Sequence, residues 1–377
     1  MEGMKMKRIA LIDILRGIAI LGTLGTNIWI FAHLGDLKYI TTTDFSSWSN
    51  MDDILRMLVL FVFNGKLLGM LTIMFGVGMA IKYEQSIRRN KPWIGMYKWV
   101  IVFLMVEGFL HYVFVMEYDV LMSYAVTAAI IAVILKRGER AMTRALWVAG
   151  ALHLGMLALI FTSMLLGPAF SMASSPQLIA IYAEGSWLEQ VQNRLANFMF
   201  FRAEAIFILP LNICLFIVGI KLMRSGAFSF TERGIAIQRK LLTWGLCLGL
   251  PLNVLTFVPG GLFDLPVRYI FAPVLALGYI GLIAIIVRKC STWGMWKWLE
   301  KTGRMSLSCY ILQNLTATAI FYGWGLGLGG NVNSVEIIGI FCMIVVGQII
   351  LANVWLAKFP YGPIEWLRKG MLQRLER

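Results

Sequence analysis

Long apolar runs alternate with short polar connections along the whole chain. Ten runs come near the roughly 20 apolar residues that a helix needs to cross the hydrocarbon core. They lie at 9–31, 54–81, 94–115, 119–135, 145–167, 198–220, 241–258, 267–287, 305–323 and 336–357. The expected fold is all-α, one polytopic membrane domain over residues 1–377. The first run is long and is followed by no small-residue cleavage site, so it is expected to stay as the first span.

Basic residues set the orientation. Of the 34 Lys and Arg, 27 fall in six clusters that border the apolar runs: Lys5 to Arg8, Lys82 to Lys98, Lys136 to Arg144, Lys221 to Lys240, Arg288 to Arg304 and Lys358 to Arg377. Successive clusters are separated by two apolar runs and a connection poor in cations. Those connections are 32–53, 116–118, 168–197, 259–266 and 324–335. In or beside them stand only Lys38, Arg56, Arg194 and Arg268, against Asp36, Asp44, Asp52, Asp53, Glu117, Glu184, Glu189 and Asp264. The positive-inside rule then predicts an integral protein of the cell membrane with both termini cytoplasmic.

Composition agrees: hydrophobic residues make up 59% and charged residues 14% of the chain, where a soluble domain would carry about 25% charge. The net charge of +14 sits at span ends, where it meets lipid headgroups, so nucleic acid is not an expected partner. Five scattered cysteines without a CxxC pair suggest neither a disulfide nor a metal site. Segments 288–304 (with Trp293, Trp296 and Trp298 among cations) and 358–377 read as membrane-surface helices. No internal repeat is legible, which weighs against a duplicated transporter.

Ionisable groups inside spans are costly and mark functional sites by default. In the first span Asp13 and Arg16 share a helix face, and Asn27 points roughly the same way nearer the outside. In the second, Asn64-Gly65-Lys66 interrupts the apolar run, which predicts a break with Lys66 facing a cavity, or paired with Asp13 or Glu107. In the third, Glu107 and His111 lie one turn apart. Asp119 follows across a short connection and Tyr124 lies deeper. A carboxylate beside an imidazole is how a general base is built, and a hydrogen-bonded structural histidine is the plain alternative. His33 could join the same outer pocket. His153 reads as a packed, bonded side chain, Arg202 and Glu204 as local salt-bridge groups, and Gln313 and Asn314 as helix glue or cavity lining.

Several segments together resemble the YeiB family of bacterial membrane proteins. They are LIDILRGIAILGTLGTNI (11–28), FNGKLLGMLTIMFGVG (63–78), EGFLHYVFVMEYDVLMSYA (107–125), GRMSLSCYILQN (303–314), FYGWGLGL (321–328) and YGPIEWL (361–367). Tyr118, Leu68 and Thr72 replace the family's usual Gly, Phe and Ser, and Ser123 is a further local difference. The resemblance spans essentially the whole chain. It implies a transmembrane acyltransferase fold, related to heparan-alpha-glucosaminide N-acetyltransferase and the acyltransferase-3 proteins. Such relatives take an acyl group from cytoplasmic acyl-CoA and pass it to a hydroxyl or amine on the far side.

The expectation is therefore an acyl-CoA-dependent O- or N-acyltransferase acting on a small-molecule, glycan or lipid acceptor. Arg16, Lys66, Arg88 and Arg89, with Asp13 beside Arg16, would attract the donor's phosphates and pantetheine arm. His111, helped by Glu107 or Asp119, would be the general base, and Asn27 would donate to the thioester oxygen. Relatives are often dimers, which leaves a homodimer open. The rival expectation is a transporter or exporter of a small anionic or lipidic solute, with the same groups as a proton relay. A non-catalytic membrane scaffold is the third.

Overall fold

A computed structural model describes residues 9–42, 50–166 and 175–375, apart from the Met96 side chain. The first basic cluster, Lys5 to Arg8, lies outside the described residues, as do Asp44 and the final Arg377. Sixteen α-helices account for most of the described chain: α1 (Ala10–Ala32), α2 (Met51–Phe63), α3 (Lys66–Arg88), α4 (Trp93–Phe114), α5 (Leu121–Lys136), α6 (Glu139–Leu166), α7 (Pro176–Ala183), α8 (Trp187–Ala196), α9 (Phe198–Ser225), α10 (Glu232–Val254), α11 (Asp264–Pro266), α12 (Ala272–Lys289), α13 (Met295–Arg304), α14 (Ser306–Phe321), α15 (Ser334–Lys358) and α16 (Pro363–Leu375). The described residues hold no strand.

Eight of these helical stretches are long and apolar enough to cross a membrane: Ala10–Ala32, Met51–Arg88, Trp93–Phe114, Glu139–Leu166, Phe198–Ser225, Glu232–Phe257, Asp264–Lys289 and Ser334–Lys358. The other two runs expected to span, 119–135 and 305–323, are helical but shorter. They form α5 and α14, of 16 residues each, or about 24 Å at ~1.5 Å per residue. That falls short of the ~30 Å of a bilayer core. The connection 168–197 contains α7 and α8. Ser186 starts α8 with a reciprocal capping box to Glu189.

Helix α1 is the axis, with nearly every side chain buried against α3, α13, α14, α15 and α2. Outer helices α6, α10 and α15 leave most of their apolar side chains uncovered, including Trp147, Leu159, Trp244 and Val346. This apolar exterior is what a bilayer solvates and water does not. One end of the bundle gathers the start of α1, the end of α3, the start of α14 and both α13 and α16; it is called here the tail end. The opposite end, the turn end, carries the 115–120 turn, α7 and α8.

Two backbone features shape the interior. Helices α1 and α13 touch through Gly17 and Gly303, where a methyl on Gly303 would overlap the Asp13 carbonyl oxygen. The expected break in the second run falls at Asn64-Gly65. Gly65 adopts φ +75°, a left-handed conformation that favours glycine, and packs on the Arg268 carbonyl. Asn64 Nδ2 donates to the Ile40 carbonyl at 3.1 Å. Lys66, which opens α3, lines neither of the two cavities beside the 115–120 turn and has neither Asp13 nor Glu107 as partner. It is fully buried, with Nζ 5.6 Å from the Phe61 ring centre and no hydrogen-bond partner.

At the turn end the chain leaves α1 through His33, whose ring stacks on Tyr39 (centroids 3.4 Å apart) and lies parallel to Trp29. Asp36 accepts from the Lys38 backbone N–H at 3.2 Å, and Arg56 lies 5.4 Å from the Tyr39 ring centre. Burial, then the charges of Arg56 and Lys38, push the His33 pKa down to about 3 from the ordinary 6.5.

Two outcomes are expected. Gly303→Ala separates α13 from α1 and lowers the thermal midpoint of detergent-purified protein, at a cost of about 1–3 kcal/mol typical of overpacking. Gly370→Ala, in open space, leaves it unchanged. His33 stays neutral in the fold but protonates below about 6.5 when unfolded, so its contribution is full above pH 6.5 and is lost as pH falls toward 3. Wild type should therefore lose more stability than His33→Gln between pH 7 and 4. Parallel pH profiles for the two would show the assignment to be wrong.

Candidate functional site

The short turn 115–120 between α4 and α5 is held by two buried arginines from the other side of the sequence. Arg194 on α8 pairs with Glu117 (Nε to Oε2, 3.3 Å) and donates to the Val113 carbonyl at 3.1 Å. Arg202 on α9 donates through Nη1 to the Asp119 carbonyl at 2.9 Å and through Nη2 to the Glu117 carbonyl. Its guanidinium also lies 4.6 Å from the Tyr112 ring centre. Planar guanidinium groups suit this task because one side chain can satisfy several buried carbonyls at once.

The turn brings His111 and Asp119 together. His111 Nδ1 lies 3.1 Å from Asp119 Oδ1, both side chains having no solvent exposure. The atoms are at ion-pair distance but outside good hydrogen-bond alignment. The other ring nitrogen, Nε2, lies 3.1 Å from Asn314 Nδ2 on α14. In this amide orientation Asn314 donates, so the ring proton belongs on Nδ1, facing the carboxylate. Asp119 Oδ2 also accepts from the Met122 backbone N–H at 3.0 Å, at the start of α5. Tyr310 covers His111, ring centres 4.9 Å apart.

Two cavities approach this group from opposite ends. The one toward the turn end, of about 120 Å³, is lined by Asn27, Asn64, Asp119, Ser123, Arg202, Glu204, Asn212, Arg268 and Tyr269 among others. Buried polar atoms there without a protein partner include Asn64 Oδ1, Ser123 Oγ, Asn212 Nδ2 and Arg202 Nε. The one toward the tail end, of about 180 Å³, has apolar walls from Ile20, Leu71, Met74, Phe75, Val100 and Leu104. Three cations join that lining, Arg16, Lys82 and Arg368, and no carboxylate does. Val120 and Tyr310 line both cavities.

A π-helical stretch, Val267–Phe271, shapes one wall of the polar cavity and supplies Arg268 and Tyr269. Carbonyl groups of this stretch find side-chain partners: His153 Nε2 lies 3.1 Å from the Tyr269 oxygen, and Asn253 Nδ2 donates to that of Phe271 at 2.9 Å. Glu204 accepts from the Tyr269 hydroxyl at 2.5 Å and lies 3.7 Å from Arg268. Irregular backbone in a membrane is tolerated where it lines a cavity in this way.

Sequence-predicted residues divide into three groups. His111, Asp119 and Asn27 gather at or beside the polar cavity; Arg16 lines the apolar one and lies 3.8 Å from Asp13. Glu107 is not the partner of His111. It lies within electrostatic reach of Arg368 and Glu365 on α16, and its Oε2 has no hydrogen-bond partner. Lys66 stays behind Phe61, and Arg88 and Arg89 are exposed at the end of α3, so none of the three lines either cavity. Arg202 and Glu204 both line the cavity; Glu204 is in an ion pair with Arg268, whereas Arg202 spends its donors on the Glu117 and Asp119 carbonyls. Gln313 donates to Thr23 Oγ1 at 3.1 Å, joining α14 to α1. Sequence reasoning passed over Tyr310, Lys82 and Arg368. Arg368 sits one residue beyond the YGPIEWL segment, and that placement was the available signal.

Residues 222–374 match a family model described as a protein of unknown function, DUF418. The chain is 25% identical to the uncharacterized protein YxaH of Bacillus subtilis (strain 168), over 96% of this chain and 93% of the relative. It is 26% identical to the uncharacterized protein YeiB of Escherichia coli (strain K12), over 98% and 97% respectively. The similarity to these two proteins extends over nearly the whole chain, from the LIDILRG segment through the YGPIEWL segment.

Proposed function

We propose that the protein is a membrane-embedded acyltransferase that moves an acyl group from cytoplasmic acyl-CoA to a hydroxyl or amine on the far side. The observation that carries this reading is the pair of cavities meeting at Tyr310 and Val120. One is apolar with a cationic mouth and the other polar with a carboxylate at its wall. In the proposed topology the chain crosses ten times, α5 and α14 included, and the tail end is cytoplasmic, as the basic clusters require.

Each cavity suits one substrate. Arg16, Lys82 and Arg368 attract the phosphates of the donor, while the apolar walls take the pantetheine arm and acyl chain. On the other side Asp119, Arg202, Asn212 and Asn64 offer hydrogen bonds to a polar acceptor. Asp119 rather than His111 lines the cavity, so the carboxylate is the group that meets the acceptor, and His111 orients it and shares its proton. The acceptor O–H or N–H proton passes to the Asp119–His111 pair as its oxygen or nitrogen attacks the thioester carbonyl carbon. The C–S bond breaks, and the thiolate of CoA leaves with that proton. Asn27, lining the same cavity, donates to the thioester oxygen as negative charge develops there.

The test combines acetyl-CoA binding by calorimetry with transfer of labelled acetyl groups to membrane lipids and glycans. Asp119→Asn and His111→Ala should each slow transfer by about 10²–10⁴-fold, the usual worth of a general base, with acetyl-CoA affinity unchanged. Arg16→Gln should weaken binding instead. Undiminished transfer by Asp119→Asn removes the proposed base. A folded protein that binds no acetyl-CoA removes the acyltransferase reading and leaves transport.

A further inference from the structure

Helix α16 has no fully buried residue, yet it delivers Arg368 to the lining of the apolar cavity. Its polar attachment to the bundle is concentrated in one carboxylate. Glu365 Oε1 accepts from the backbone N–H groups of Leu307 and Ser308 at 2.9 and 3.2 Å, and Oε2 accepts from the Ser308 hydroxyl at 2.5 Å. Those two N–H groups belong to the first turn of α14 and have no carbonyl partner within the helix. An acidic side chain from another element therefore caps α14, with the helix dipole favouring its charge. Ser308 Oγ in turn accepts from the Ile364 N–H at 3.1 Å.

The approach is shaped by Gly362, where a Cβ would collide with Glu365 Oε2 and the Ser308 hydroxyl. The chain just before α16 is thus cut to admit the carboxylate. From Glu365 the helix runs on less than one turn to Arg368, so the angle at which the cap holds α16 sets the position of the guanidinium. On the opposite face Trp366, Leu367 and Met371 are exposed beside Lys369 and Arg374, a composition that rests on a membrane surface rather than on the protein.

We infer that Glu365 is a positioning residue: by capping α14 it fixes the tail helix so that Arg368 stands in the mouth of the apolar cavity and binds the anionic end of the ligand there. The identity of that ligand as acyl-CoA rests on the function proposed above. The cap itself is independent of it.

The experiment uses full-length protein in detergent, with hydrogen exchange of residues 363–375 and calorimetric titration of acetyl-CoA as two readouts. Glu365→Gln and Gly362→Ala should speed exchange of the tail helix and leave the other helices protected, which also shows that both variants fold. Each should weaken acetyl-CoA binding tenfold or more, as Arg368→Gln does. The double variant Glu365→Gln/Arg368→Gln should bind no more weakly than Arg368→Gln alone, because both changes remove the same contact. Unchanged tail exchange in both capping variants overturns the inference, as does full affinity in Glu365→Gln when Arg368→Gln has lost it. If wild type binds no acetyl-CoA, the donor assignment falls, and tail exchange alone decides whether Glu365 holds α16.

Discussion

The site depends on a constraint that apolar packing cannot satisfy: a turn of bare carbonyls, 115–120, held inside a helical bundle. An unpaired peptide group away from water costs several kcal/mol, and the connection between α4 and α5 is too short to reach bulk solvent. Arg202 supplies donors to the Glu117 and Asp119 carbonyls, while Arg194 donates to the Val113 carbonyl just before the turn and pairs with Glu117. The geometry that results is rigid because each arginine serves more than one acceptor. His111 lies in the last turn of α4 and Asp119 in the clamped turn itself, so their 3.1 Å approach follows from this clamp rather than from any direct preference for each other.

Much of the architecture was legible because membrane spans carry their signal in length and charge alone. All ten expected runs are helical, and the break at Asn64-Gly65 falls where the polar interruption places it. The candidate site was legible in part. Glu107 and His111 share a helix face, and on an isolated helix that spacing makes them partners. In the bundle the short turn folds Asp119 back onto the same imidazole, and Glu107 lies within electrostatic reach of Arg368 and Glu365 on α16 instead. Lys66 shows the limit of spacing arguments too. Sequence marks it as a buried cation, but only the path of the chain around Gly65 sends its ammonium toward Phe61.

Contributions from distant segments were beyond the reach of sequence for a common physical reason. Arg368 lies in a segment whose composition suits a surface helix, and the helix it forms has no fully buried residue. That the surface helix is bent back to the bundle is decided by the fit of Glu365 to the start of α14, across 57 residues of sequence. Likewise Tyr310 is one aromatic among many in apolar runs. Its importance comes from standing where two cavities end, a property of the assembled bundle with no local signature.

The two short helices bear on how such a site could work. Helices α5 and α14 are the ones that fall short of a bilayer core, and they frame the place where the cavities meet. Asp119 and Val120 precede α5, Ser123 lies in its first turn, and Tyr310 and Asn314 stand on α14. A full-length pair of helices here would separate the two cavities by more apolar layers. Shortening them brings the polar turn and the α14 cap inward from opposite ends until Tyr310 and Val120 line both spaces. A bundle whose central helices are too short to span alone must wrap them in longer ones, as α4 and α9 do for α5 and α1 and α15 do for α14. The wall between the two cavities is then thinnest where His111, Asp119 and Tyr310 stand, which is where the proposed acyl transfer would have to cross it.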